Sequence, residues 1–269
     1  MITHRSVLYN FGKSMVKLGS KLGLRLWIAL WLCGTSEISA QDYLVIVTQD
    51  GKTTLRGNAA LVNQEVSPAS TFKVVLSWAA LDAGITRADS LRMVQDAHVP
   101  RTPRKITLTQ AMFYSSNDYF KQMAPLIGHE RLRAQVESTG LFTQPLIKTW
   151  LARDFSLVER GGLMKTTPSL NHAWMLKIAS GDWIKNKELQ TALEKTMFWP
   201  SPQKGTKLFG KTGTIKGAVW FNGFGKTAHG LKVVTVFIPG ETKDRPRAIG
   251  LFYETFGLKW DEVLAKEME

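Results

Sequence analysis

From residue 41 onward the chain switches between two hydrophobic periods. Tyr43–Thr48 (YLVIVT) is a short run of apolar and β-branched residues, and Asp50-Gly51 behind it is a hairpin signal before TTLRGNAAL. A strand pair is therefore predicted at the start. Residues 70–83 take up helical spacing: Phe72, Leu76, Ala79, Ala80 and Ala83 share one face, and Gly84 suits the position just past the helix end. From about residue 107 to 198 the pattern stays mostly helical, with LTQAMFYSSND and TTPSLNHAWMLKIAS as clear segments. Residues 208–214, 218–225 and 231–238 alternate or run apolar between glycines and read as strands, after which AIGLFYETFGLKWDEVLAKEM returns to helical spacing. An antiparallel sheet unites the first and last strands only if the helical block stands beside it. The predicted class is α+β: an antiparallel sheet flanked by helices, plus a separate helical lobe. A cleft between the two is the natural place for a site.

The first forty residues follow a different plan. Arg5, Lys13, Lys17, Lys21 and Arg25 form a basic stretch without an acid, followed by the apolar run Leu26–Cys33. A run of about eight residues is too short for a bilayer, which needs roughly twenty. It fits the core of an export signal, with Ile38 and Ala40 at the −3 and −1 positions of a cleavage site. The expectation is an export signal over 1–40, with an uncleaved anchor as the alternative, and one catalytic domain over 41–269. The protein would then reach the periplasm or cell envelope and touch a membrane only through its N-terminal segment.

Charge and cysteine content narrow the chemistry. The formal net charge is +13, from 35 basic and 22 acidic residues. Removing residues 1–40 takes five basic residues and one acidic, leaving 30 − 21 = +9. That excess favours anionic partners such as a cell-wall polymer. No block of lysines or arginines and no nucleic-acid motif accompanies it, so nucleic acid is not expected as a partner. Cys33 is the one cysteine, and a chain cleaved at residue 40 has neither disulfides nor cysteine-ligated metals.

Three short motifs carry candidate chemistry. Ser-x-x-Lys occurs at Ser14–Lys17, Ser70–Lys73 and Ser201–Lys204, and only the pair at 70 and 73 opens an apolar helix. There, residues three apart share a face, and the helix N-terminus offers free N–H groups to a developing negative charge. A lysine serves as base for a serine hydroxyl if it is neutral some of the time. The competing reading makes Ser70 a helix cap, but a capping box asks for Glu or Gln at 73, and lysine carries the wrong charge for a first turn. Ser115-Ser116-Asn117 either caps a helix or points Ser115 and Asn117 into a cleft, as proton relay and amide holder. Lys211-Thr212-Gly213-Thr214 suits a strand whose Gly213 lets a substrate backbone lie close, with Lys211 and Thr212 gripping a carboxylate. A rival pattern overlaps it: Gly205 to Thr212 matches the phosphate-binding loop G-x-x-x-x-G-K-[ST]. Such a loop follows a buried strand and opens a helix. WPSPQK before it is no strand, and GTIKGAVWFNGF after it is strand-like, so the nucleotide-binding reading ranks last.

In order, STFK at 70–73, SSN at 115–117 and KTG at 211–213 resemble the three active-site motifs of the serine penicillin-binding proteins and serine β-lactamases. PASTFK, SSNDYFKQMAPLIG, GGLMKTTP and KTGT…VWFNGF look most like class D β-lactamases and related transpeptidase domains, over roughly residues 42–257. The resemblance implies Ser70 as acylated nucleophile, Lys73 as its base and Ser115 as proton shuttle. Lys211 and Thr212 would anchor the substrate carboxylate, with Arg247 as a second anchor, and Asn117 would hold an amide. The N–H groups of Ser70 and Thr214, beside Gly213, would form the oxyanion hole. No metal or cofactor is implied. Class D enzymes resemble one another in a Val where this chain has Asn117. They also share a tryptophan near the segment matching GGLMKT, where Val158 stands here; that departure argues against a carboxylated Lys73. No deacylating glutamate matches, and the neighbours of Glu159 differ from the class A pattern.

The expected partners are β-lactam antibiotics or D-Ala-D-Ala peptides. The expected function is an exported serine acyl-enzyme that hydrolyses β-lactams. The alternatives are a DD-peptidase or transpeptidase acting on peptidoglycan stems and, further off, a penicillin sensor that stays acylated.

Overall fold

Six strands in the order β2-β1-β8-β7-β6-β5, every neighbouring pair antiparallel, form the frame of the computed structural model. It describes residues 42–143 and 164–261, all within a compact unit that begins at Ala40. The expected export signal, Val158, Glu159 and the start of GGLMKTTP lie outside the described residues. The strands are β1 (Leu44–Gln49), β2 (Lys52–Gly57), β5 (Phe198–Trp199), β6 (Lys207–Ile215), β7 (Ala218–Thr227) and β8 (Gly230–Ile238). A separate two-stranded ribbon, β3 (Leu91–Val94) and β4 (Arg104–Thr107), lay hidden in the pattern because each strand has only four residues.

The described helices are α1 (Lys73–Asp82), α2 (Leu108–Tyr114), α3 (Asn117–Ile127), α4 (His129–Thr139), α5 (Pro168–Ser180), α6 (Lys187–Thr196) and α7 (Arg245–Glu254). Local signals explain most of their ends. Thr107 and Gln110 close a capping box on α2, Thr167 caps α5 ahead of Pro168, and Asn186 caps α6. Gly84 ends α1 as predicted: its φ is +67°, and Ile85 N–H reaches back to the Ala80 carbonyl. The final helical segment is interrupted after Glu254, with helix resuming at Trp260 and the residues beyond 261 outside those described. Gly257, at φ +71°, turns the chain there while Leu258 N–H returns to the Tyr253 carbonyl.

The sheet separates two apolar layers, as the period-two alternation of its strands requires. On one face Val219, Phe221, Val234, Val236 and Ile238 pack against Ala248, Ile249 and Phe252 of α7. On the other, Phe209, Phe224 and Val233 join the core built by α1 to α6, the helical lobe. The architecture is thus the α+β arrangement predicted, with helices on both faces of an antiparallel sheet. α5 lies on the lobe side and brings buried polar groups to the strands. His172 bonds Thr48 Oγ1 (2.7 Å) in β1 and Thr235 Oγ1 (3.2 Å) in β8.

Candidate active site

Ser70 lies in a single 3₁₀ turn, Ala69–Phe72, that runs directly into α1. It caps nothing: the turn begins after Pro68 and α1 after Phe72, each without a side-chain cap. The turn is braced instead. Thr71 Oγ1 donates to the Pro68 carbonyl (2.6 Å), the Ala69 amide donates to Ser67 Oγ (3.1 Å), and Trp220 Nε1 of β7 donates to the Ser67 carbonyl (2.9 Å). Ala69 occupies the left-handed region at φ +46°, a conformation that costs a non-glycine residue about 1 kcal/mol. The segment before the turn is tied further back. Val66 and Thr166 exchange backbone hydrogen bonds, Asn171 Nδ2 donates to Thr166 Oγ1 (2.9 Å), and Asn222 Nδ2 donates to Asn171 Oδ1 (2.7 Å). A buried polar line thus joins β7 through α5 to the entrance of the Ser70 turn.

Lys73, fully buried, joins two of the three motifs. Its Nζ donates to Ser70 Oγ (2.9 Å), the Ser115 carbonyl (3.0 Å), Ser115 Oγ (3.3 Å) and Asn117 Oδ1 (2.5 Å). The two readings of Ser115-Ser116-Asn117 divide between neighbouring residues. Ser116 is the cap, its Oγ accepting from the Tyr119 amide (3.2 Å). Ser115, left-handed at φ +60°, ends α2 and turns its hydroxyl toward Lys73.

A residue that the sequence reading passed over holds this corner. Asp96 is buried, and its Oδ2 accepts from Ser116 Oγ (3.0 Å), the Asp118 amide (3.0 Å) and the Asn117 amide. Its Oδ1 accepts from the amide (3.0 Å) and Nδ1 (2.9 Å) of His98. Burial alone would push this carboxyl up. The backbone amides of Asp118 and His98, with the His98 ring and the Ser116 hydroxyl, outweigh it and hold Asp96 well below the usual carboxylate range. An anion at the first turn of α3 also suits the helix dipole.

The third motif sits within β6, paired with β7 from Lys207↔Lys226 to Ile215↔Ala218. No helix opens at Lys211-Thr212, so the phosphate-loop pattern is accidental. Alternation sends Lys211 and Gly213 to one face and Thr212 and Thr214 to the other. Gly213 does not serve as predicted. A Cβ there would lie 2.9 Å from the Pro68 carbonyl oxygen and 3.0 Å from Thr71 N, so its bareness admits the Ser70 turn, not a substrate backbone. Lys211 is fully buried and donates to the Thr212 carbonyl (2.8 Å).

Ser70, Ser115, Thr212 and Thr214 open on one cavity of about 610 Å³. Aromatic rings of Phe113, Tyr114, Trp199 and Trp260 form much of its wall, with Trp199 5.1 Å from Phe113 and 5.7 Å from Trp260 between ring centres. The arginine expected here is the wrong one. Arg247 leaves the cavity and forms a two-bond ion pair with Asp42 (2.7 and 2.9 Å), stacking over Tyr43. Arg245, two residues earlier and so on a different face of α7, lines the cavity and donates from Nε to Thr212 Oγ1 (3.2 Å). Burial pulls its pKa below the ordinary arginine value. The helical start after Asp244 fixes which of the two arginines faces inward, and sequence spacing alone did not distinguish them.

A family model described as the penicillin-binding protein transpeptidase domain matches residues 32–149, which include the first two motifs. Among solved structures, a delta mutant of the class D β-lactamase BSU-2 is 24% identical with a TM-score of 0.69, covering 82% of this chain and 94% of its own. The class D β-lactamase from Bacillus subtilis is 23% identical with a TM-score of 0.66 over the same shares. A class D β-lactamase from Fusobacterium nucleatum subsp. polymorphum is 18% identical with a TM-score of 0.69, covering 85% of this chain and 96% of its own. The fold is that of the class D β-lactamases, and residues 32–149 are similar to a penicillin-binding transpeptidase domain. A search of curated proteins gives no match. The Ser70–Lys73–Ser115 group and the Thr212–Arg245 pair meet at one cavity.

Proposed function

We propose that the protein is an exported serine acyl-enzyme that opens and hydrolyses β-lactams in the manner of class D β-lactamases. The observation that carries this reading is Lys73 Nζ within 2.9 Å of Ser70 Oγ and 3.3 Å of Ser115 Oγ. In its neutral form Lys73 takes the Ser70 proton as Oγ attacks the lactam carbonyl carbon. The amides of Ser70 and Thr214 receive the oxyanion, an arrangement worth several kcal/mol in acyl transfer. As the tetrahedral intermediate collapses, the carbonyl–nitrogen bond breaks. The ring nitrogen takes a proton from Ser115, which Lys73 replaces. Thr212 and Arg245 meet the substrate carboxylate, and the aromatic wall meets its apolar side chain. Water then attacks the acyl carbon, and Ser70 leaves with a proton.

Lys73 acts here as the free amine. Its Nζ faces oxygen acceptors on Ser115 and Asn117, which suit an N–H donor and would repel the oxygens of a carbamate. The second reading is a DD-peptidase or transpeptidase, favoured by one feature: beyond Phe198↔Phe209 and the Gly210 amide's bond to the Met197 carbonyl, β6 has no strand partner on the side away from β7 among the described residues. That edge, over residues 211–215, accommodates an extended peptide.

A chromogenic β-lactam separates the two. Repeated turnover proportional to enzyme is expected. A burst of one equivalent that then stops would sink the hydrolase and leave the peptidase. Turnover that rises with added bicarbonate would overturn the free-amine reading of Lys73.

A further inference from the structure

His98 stands at the mouth of the same cavity with one side of its ring committed and the other open. Nδ1 meets Asp96 Oδ1 at 2.9 Å, and the ring is roughly half exposed, at 56%. Asp96 accepts at both oxygens from amides and a hydroxyl, as an ionised carboxylate does, and an ionised carboxylate has no proton to give. Nδ1 must therefore carry the hydrogen, and in the neutral ring Nε2 is left as an acceptor. Nε2 has no hydrogen-bond partner among the described residues.

The position of this acceptor is as firmly set as the catalytic motif beside it. The carboxylate that fixes the ring also receives the Ser116 hydroxyl and the first amides of α3. The ring thus moves with Ser115 and Asn117 as one piece. Elsewhere the cavity offers hydroxyls at Ser70, Thr212 and Thr214 and a guanidinium at Arg245, so a fixed nitrogen acceptor adds something different to its lining.

We propose that His98 is a specificity-determining residue whose Nε2 accepts a hydrogen bond from a substrate amide N–H. The ligand class is an acylamino-bearing β-lactam or a peptide, as opposed to a ring without such a side chain. This rests on the acyl-enzyme reading of Ser70, and the test separates the two. The rate of Ser70 acylation at limiting concentration is measured by mass spectrometry for two probes, a 6-acylamino penicillin and a penam unsubstituted at carbon 6.

Two variants divide the roles of the ring. In His98→Asn the side-chain N–H₂ still donates to Asp96, but the outer acceptor is gone. In His98→Gln the amide oxygen reaches outward to replace it. A single lost hydrogen bond corresponds to roughly a tenfold loss. His98→Asn is expected to lose about that factor with the acylamino probe and under twofold with the unsubstituted one, at an unchanged melting temperature, and His98→Gln to recover most of it. Equal losses on both probes, or no loss on either, would overturn the proposal while leaving Ser70 acylation established. If neither probe labels the wild-type protein, the acyl-enzyme reading falls and takes this one with it.

Discussion

Two lysines among the described residues are completely buried, and they belong to different motifs. Lys73 lies among side-chain oxygens from Ser70, Ser115 and Asn117, which belong to two motifs separated by about forty residues. Lys211 donates to the carbonyl of its own neighbour, Thr212, within a strand paired with β7 along its whole length. Burial alone therefore does not mark a proton carrier. What distinguishes Lys73 is that the groups it touches are themselves able to gain and lose protons beside an open cavity. Lys211 shares the face of β6 on which Gly213 meets the Ser70 turn, so its charge acts beside that turn while Thr212 and Arg245 supply the contacts at the cavity.

The largest effect that would break or sharpen this contrast comes from Lys73→Ala. Acylation by a fluorescent penicillin should fall by about 10³-fold, within the range for loss of a general base. Lys211→Ala should cost about ten- to a hundredfold and chiefly at low substrate concentration, because its part is charge stabilisation. Equal losses would erase the distinction. The two arginines give the next test: Arg245→Ala should raise KM by about ten- to a hundredfold, the worth of a charge-assisted hydrogen bond. Arg247→Ala should leave KM within about twofold, since an exposed ion pair contributes little.

Gly213→Ala probes the contact between β6 and the Ser70 turn. Its Cβ meets backbone atoms of Pro68 and Thr71, which cannot swing away as a side-chain tip would. A destabilisation of about 1–3 kcal/mol is expected, together with slower acylation, measured by chemical denaturation and by labelling.

A second contrast lies between two buried groups that titrate in acid, Asp96 and His172. Burial brings His172 from 6.5 down to about 4, so the unfolded chain binds a proton that the folded one refuses between those values. Its contribution is fully present above about pH 6.5 and is lost as pH falls toward 4, to the extent of ~3 kcal/mol. Asp96, whose pKa is lowered, gives stability that is lost only below its ordinary 3.8. Denaturation midpoints should thus fall in two stages, and His172→Gln should remove the upper stage alone.

Much of this was legible in the chain. The alternating runs at 44–49 and 207–238 and the helical face after Phe72 are local patterns, and local sterics and burial enforce them. STFK, SSN and KTG were readable because the chemistry needs those side chains in that order. Asp96, Arg245 and the Asn171–Asn222 bond were not readable, because each acts on a partner distant in sequence and none belongs to a periodic face. The choice between Arg245 and Arg247 turned on where α7 begins, a boundary that spacing leaves uncertain by a residue or two.

By itself, then, the sequence determined an α+β chain with a serine, a lysine and a strand motif in a family-like order. Hydrophobic periodicity and the types of the reactive side chains were enough for that. The tertiary structure decided which hydroxyl caps and which faces the cavity, that Gly213 makes room for the nucleophile's turn, and that Arg245 is the inward arginine. These depend on approaches of a few ångströms between segments far apart in the chain. A hydrogen bond is made or lost within such a distance, and no one-dimensional pattern records it.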